Sequence, residues 1–173
     1  MKPPPLFAVD TNFLLGLVEP PDDARDALDI IRERTPRASV LITESAFAEL
    51  DHFATTPSLG RQESAEKAEA AMIGLGIQPV LLTDLQGTFA KSVAGKLLER
   101  GLVPWEEQHD ARILAEAAVL ECQLLISADA HLRAIDRARL AEVLESSGVG
   151  VVAVRSPRDI VREFGTGRAK RGR

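Results

Sequence analysis

Five short apolar runs, each followed by a stretch of helical spacing, constrain this chain more than any other feature. The runs are Leu6-Phe7-Ala8-Val9, Val40-Leu41-Ile42, Val80-Leu81-Leu82, Leu124-Leu125-Ile126 and Val149 to Val154. Each is too short for a helix, and each reads as a buried strand. Helical spacing of the residues between them predicts helices over Thr11–Val18, from Asp22 to the stop at Pro36, and over Glu44–Ala54, Arg61–Gly74, Asp84–Arg100, His109–Gln123 and Leu132–Leu144. A last short helix is expected over Pro157–Phe164, with Pro157 at its first position. Strands alternating with helices imply a parallel sheet covered on both faces. The 173 residues suit one domain with a sizeable core, and no repeat or linker divides them.

Several classes are excluded by what is missing. No apolar run approaches the roughly 18 residues of a membrane span. The opening Met1-Lys2-Pro3-Pro4-Pro5 lacks the apolar stretch of a signal peptide. Cys122 is the only cysteine, so no intrachain disulfide can form, and Ala118 four residues earlier suggests a buried helical thiol. A cytoplasmic protein is the expectation. Aromatic residues make up 4% and tyrosine is absent, so platforms for stacking bases are scarce. The charge is unevenly spread. The stretch from Arg155 to Arg173 carries seven basic side chains against two acidic, in a chain of 21 basic and 26 acidic residues. That leaves a body of −10 and an end of +5. The basic end, with Arg168, Lys170, Arg171 and Arg173, has two readings: a solubilising tail, or a segment that touches nucleic-acid phosphates.

The acids fall in a pattern. Asp10 follows the first strand and Asp129 the fourth, where ligands of open α/β sheets gather if the two strands are neighbours. Asp110 precedes Ile113 and Leu114 by three and four residues, so it points inward from the first turn of its helix. Glu121 lies on the same stripe at the far end. Glu49 is three residues from Ala46 and four from Phe53, at the edge of an apolar stripe, whereas Glu44 and Asp51 face away from it. Each acid alone has an ordinary explanation: Asp10 as a helix cap, Asp110 as a dipole partner, Asp129 as a turn residue, Glu49 as a surface charge. Together their directions are compatible with one cluster, and packed like charges call for a cation. Oxygen ligands without a Cys/His set favour Mg²⁺ or Mn²⁺. His109 and His131, each beside a candidate acid, read as surface or supporting residues rather than ligands.

These residues resemble the motifs of PIN-domain proteins, a family of metal-dependent ribonucleases that includes toxins of prokaryotic toxin–antitoxin pairs. The matching stretches are Val9-Asp10-Thr11-Asn12, Glu49 in Phe47-Ala48-Glu49-Leu50, Asp110 in the run from His109 to Ala115, and Asp129 in Ile126-Ser127-Ala128-Asp129. The closing Val151–Val154 followed by Ser156-Pro157 is similar to the family's last strand and helix. Ser127 stands where the family usually has threonine and keeps the hydroxyl. The segment from Thr55 to Gly76 and the basic tail look longer than in compact toxins. The resemblance implies a PIN-like nuclease domain over residues 1–164 with a basic tail over 165–173. It implies a three-layer α/β/α fold with a five-stranded parallel sheet in the order 3-2-1-4-5. It also implies RNA phosphodiester hydrolysis by water activated on Mg²⁺ or Mn²⁺ held by Asp10, Glu49, Asp110 and Asp129, with Thr11, Asn12 and Ser127 steadying the carboxylates or touching phosphate. An antitoxin partner and a homodimer come with it.

Two other classes compete. A non-catalytic PIN module would bind RNA or protein partners without cleaving. A haloacid-dehalogenase-like phosphatase also begins with an Asp after its first strand, but needs a second Asp where this chain has Asn12.

Overall fold

The computed structural model describes residues 3–165. Strands β1 (Leu6–Val9), β2 (Ser39–Thr43), β3 (Gln78–Val80), β4 (Leu124–Ile126) and β5 (Ala153–Arg155) form one parallel sheet in the order β3-β2-β1-β4-β5. The helices are α1 (Thr11–Gly16), α2 (Asp23–Arg34), α3 (Glu44–Thr55), α4 (Gln62–Gly74), α5 (Asp84–Glu99), α6 (Gln108–Val119), α7 (Ala130–Ala134), α8 (Arg137–Ser146) and α9 (Pro157–Phe164). They flank the sheet in a three-layer α/β/α arrangement: α5 packs on α6, α2 on α9, and α3 on both α4 and α6. No helix among the described residues is long and apolar enough to cross a membrane. The tail lies, from residue 166 on, outside the described residues.

Register decides what meets at the sheet edge. Val9 stands opposite Ile42 of β2 and Ile126 of β4, and Ile126 opposite Arg155 of β5. One residue further on, the row reads Thr43, Asp10, Ser127, Ser156, all buried. Below it lies the apolar core, where Ala8, Val9, Ile42, Leu125 and Ile126 are sealed by Phe13, Leu14, Leu50, Ile113 and Leu114. Aliphatic side chains at the centre of a parallel sheet are covered on both faces, which is why these runs do not alternate.

The structure moves several expected boundaries, each for a local reason. The helix expected over His109–Gln123 ends at Val119, because Glu121 takes a left-handed φ of 58° and reverses the chain into β4. Glu121 is therefore exposed rather than on an inward stripe, and Cys122 is a buried turn residue, not a helical one. Burial pushes the Cys122 thiol up to about 12, which leaves it unreactive. The helix expected over Leu132–Leu144 is two helices. Asp129 and Asp136 each cap one, accepting from the backbone N–H of Leu132 (2.9 Å) and Arg139 (2.8 Å). The last strand is only Ala153–Arg155, since Gly148 (φ 74°) and the Val149 N–H complete the end of α8. The third strand stops at Val80, leaving Leu81 exposed.

Candidate active site

Asp10 is placed by two constraints. Its backbone N–H donates to Ile126 O across the sheet (3.3 Å), and its Oδ1 caps α1 by accepting from Phe13 N–H (2.8 Å). The other oxygen, Oδ2, accepts a short hydrogen bond from the Ser127 hydroxyl (2.5 Å). Ser127 Oγ in turn accepts from the Asp129 N–H (3.1 Å). One hydroxyl thus ties the end of β1 to the start of the turn that carries Asp129. The expectation of a helix cap at Asp10 holds for one oxygen, and the other faces β4. Thr11 is buried and its hydroxyl donates to Ala46 O of α3 (3.0 Å), fixing α1 against the helix that carries Glu49. Asn12 is exposed, at the surface beside Asp10.

Electrostatics link the acids. Asp10 is 5% exposed, and burial pushes its carboxyl up to about 6 against the lowering hydrogen bonds from Ser127 and Phe13, with Glu49 and Asp129 adding repulsion. Asp110, half-buried in the first turn of α6, is pushed up to about 7 by burial and by the charges of Asp129, Glu107 and Asp10. Its inward direction is as the stripe predicted. Glu49 behaves differently. Burial raises its pKa, but hydrogen bonding from His109 and Thr11 and the charges of His109 and Arg61 outweigh that and bring it below the ordinary value. His109 Nε2 lies 3.4 Å from Glu49 Oε2, and His109 is correspondingly raised. His131 lies 3.6 Å from Glu107.

The donors around Asp10 are hard oxygens on a crowded acidic edge, the chemistry that suits Mg²⁺ or Mn²⁺. They are not a closed cage: among the described residues, no three His, Cys, Asp or Glu side chains stand as a ready metal-ligand set. Asp10 and Asp129 each commit one oxygen to a helix cap, and Glu49 is engaged by His109.

A buried acid outside the expected quartet organises the same edge. Glu116 of α6 is 1% exposed. Its Oε2 accepts from the Ser45 N–H (2.9 Å), and its Oε1 accepts from the Ser45 hydroxyl (2.6 Å) and Arg112 Nε (2.9 Å). It therefore pins the first turn of α3, four residues before Glu49, to the helix that carries Asp110. Its signal was in the sequence: α6 is Ile, Leu or Ala on nearly every side of Glu116, and a helix apolar all round is buried all round. Thr43 stands at the N-cap position of α3 but makes no side-chain capping bond. It is fully buried, and its hydroxyl has no hydrogen-bond partner.

The raised acids predict a pH dependence of stability without metal. Asp10 and Asp110 hold protons in the fold that the unfolded chain has released above about pH 4. Their contribution to stability therefore falls as pH rises from about 4 to about 7. His109, raised by Glu49, adds to the fall as it deprotonates. The melting temperature in chelator is expected to be lower at pH 8 than at pH 5, and Asp10→Asn to flatten the profile. A rise over that range would contradict the placement of these groups.

No protein-family model and no curated protein matches the sequence. The fold is similar to a solved structure, a chain of VapBC2 from Rickettsia felis crystallised bound to a DNA fragment from their promoter. The two are 11% identical, the match covers 87% of this chain and 98% of that one, and the TM-score is 0.59. At that identity the likeness is one of fold. The strand order and the layers are those that the motifs around Asp10, Glu49, Asp110 and Asp129 implied, and the chain has the PIN-like three-layer α/β/α fold.

Proposed function

We propose that this protein is a Mg²⁺- or Mn²⁺-dependent endoribonuclease that hydrolyses RNA phosphodiester bonds at the edge where β1 and β4 end. The observation that supports the reading is that Asp110 feels the charges of Asp129 and Asp10, and that Ser127 donates to the Asp10 carboxylate while accepting from the Asp129 backbone N–H. The residues that would hold the ion are Asp10, Glu49, Asp110 and Asp129. When bound, the ion would supply an activated water and stabilise charge on the phosphate oxygens. Ser127 orients Asp10 by its hydrogen bond and so keeps the second oxygen turned toward β4. Thr11 and Glu116 hold α1 and α6 against α3, which sets where Glu49 sits relative to the other acids. Asn12, exposed beside Asp10, is placed to touch substrate phosphate. Pairing with an antitoxin and with a second copy is part of the same proposal, supported by the PIN motifs and by the fold shared with a VapBC2 chain.

A second reading is a PIN module that binds without cleaving. The engagement of Glu49 by His109 favours it. A thermal shift separates the two. Millimolar Mn²⁺ should raise the melting temperature, since an ion that binds only the folded state stabilises it by mass action. The gain should shrink in Asp110→Asn and Asp129→Asn. An equal gain in the double variant would place the ion elsewhere, for instance at Asp22 and Asp23.

A further inference from the structure

On the far side of β4 from Asp10, a cleft of about 350 Å³ runs between the open edge of β5, helices α7 and α8, and α9. Its polar lining is mostly arginine: Arg133, Arg137, Arg155 and Arg162 against the two carboxylates of Asp159 and Glu163. A positive surplus is unusual on this molecule, whose sequence up to residue 154 carries a charge of −10. Among the described residues, three of the four ion pairs within the cleft are long, and the fourth, Arg162 to Asp159, is a hydrogen bond. Arg133 and Arg162 lie 3.5 and 3.2 Å from Asp159, and Arg155 and Arg162 each lie 3.9 Å from Glu163. Arg133 and Arg162 are the exposed partners, while Asp159 and Arg155 are largely shielded; pairs held by a solvated arginine contribute little and can exchange for another anion. Arg137 has no ion pair among the described residues and is exposed at the cleft wall.

The cleft continues the acid edge. Asp129 caps α7, and the helix it starts carries Arg133 on its next turn. Arg155 ends β5 in the same row as Val9 and Ile126, two strands and about 10 Å from the end of β1. A chain of phosphates with one member at the acids must lay its neighbours over protein that is otherwise negative. Guanidinium forks bind phosphate oxygens two at a time and suit that task.

We propose that the cleft beside β5 binds the backbone phosphates of single-stranded RNA flanking the scissile bond, with Arg133 and Arg137 as principal contacts and Asp159 limiting the affinity. This rests on the nuclease reading, and binding and cleavage are therefore measured separately. Binding of a short labelled single-stranded RNA is followed by fluorescence anisotropy in chelator, across a salt series, for the full chain and for the double variant Arg133→Ala/Arg137→Ala. Both side chains are exposed, and unchanged thermal unfolding confirms an intact fold. The variant should bind on the order of tenfold more weakly, with a salt slope reduced by about 0.7 for each lost phosphate contact. In Mn²⁺ its rate at saturating RNA should be unchanged and its KM raised, since these contacts hold ground state and transition state alike. Asp159→Asn keeps an acceptor for the Ser156 N–H while removing a charge, and it should bind RNA more tightly.

Unchanged affinity and salt slope in the double variant overturn the cleft while leaving the nuclease reading standing. So does RNA binding that persists while binding of a polyglutamate peptide is lost, which would assign the cleft to an acidic protein segment. Failure of the unaltered protein to bind or cleave any RNA overturns both.

Discussion

Asp10→Asn is expected to abolish Mn²⁺-dependent RNA cleavage and, in the same preparation, to raise the melting temperature of the metal-free protein. The two effects have one cause. Asp10 is buried, with Glu49 and Asp129 adding negative charge around it, and its carboxyl is pushed up to about 6 from an ordinary value of 3.8. Ionising it at neutral pH costs about 2–3 kcal/mol relative to the unfolded chain. Asparagine keeps an oxygen to cap α1 at Phe13 and removes the charge, so that cost disappears. In a chain of this size about 1 kcal/mol corresponds to roughly 2–4 °C, which puts the gain near 5 °C or more. The gain should vanish at pH 4, where the wild-type carboxyl is already protonated. Thermal unfolding in chelator at both pH values, together with a cleavage assay, checks the pair of effects. A stabilised variant that still cleaves at the wild-type rate would remove Asp10 from the chemistry.

The largest loss of stability is expected from Glu116→Ala. Glu116 accepts three hydrogen bonds while almost wholly shielded from water, and the truncation leaves the Ser45 N–H, the Ser45 hydroxyl and Arg112 without their acceptor. Breaking a fully buried pair from one side costs about 3–5 kcal/mol; Arg112 is 31% exposed and can regain water, so the cost here, mostly from the stranded Ser45 groups, is about 2–3 kcal/mol. The corresponding fall in melting temperature is about 5–10 °C. Glu116→Gln keeps one carbonyl acceptor and should cost less than half as much. Because Ser45 begins the helix that carries Glu49, cleavage should also fall in Glu116→Ala below its melting temperature, with KM less affected than kcat. Urea unfolding measures the first effect. A loss under about 1 kcal/mol would mean that α3 and α6 are joined by apolar packing alone.

The two acids at the ends of β1 and β4 were legible in the sequence because strand ends are abrupt: an apolar run stops at Val9 or Ile126, and a polar residue must follow. The inward turn of Asp110 was legible for a similar reason, since three- and four-residue spacing to Ile113 and Leu114 leaves a helical side chain little choice of face. Glu116 is not among the acids the sequence singles out; its burial is set by Ala115, Ala117 and Ala118, small residues that let neighbouring elements close over it. The engagement of Glu49 by His109 joins residues sixty apart and follows only once α3 and α6 are packed together. The split of the expected helix after Leu132 was signalled by Asp136, a capping residue inside what the apolar spacing presents as one continuous stripe. Thr43 carries the opposite lesson: a threonine before a helix suits a cap, yet pairing with Val80 in the sheet buries its hydroxyl without a partner.

The charge on this edge also bears on the proposed RNA. Asp10, Glu49, Asp110 and Asp129 repel phosphate unless a cation sits among them, and a surplus of arginine lies in the cleft beside β5. Substrate binding should therefore depend on salt through the arginines and on divalent ion through the acids, as separable effects.

The most direct measurement is cleavage of a panel of single-stranded and structured RNAs by the purified protein in Mn²⁺, run in parallel with excess chelator and with Asp129→Asn. Defined products in Mn²⁺ that disappear in both parallel reactions are the predicted result. Products that persist in chelator or in the variant, or an intact panel in Mn²⁺, would contradict the assignment of this acid edge as a metal-dependent ribonuclease site.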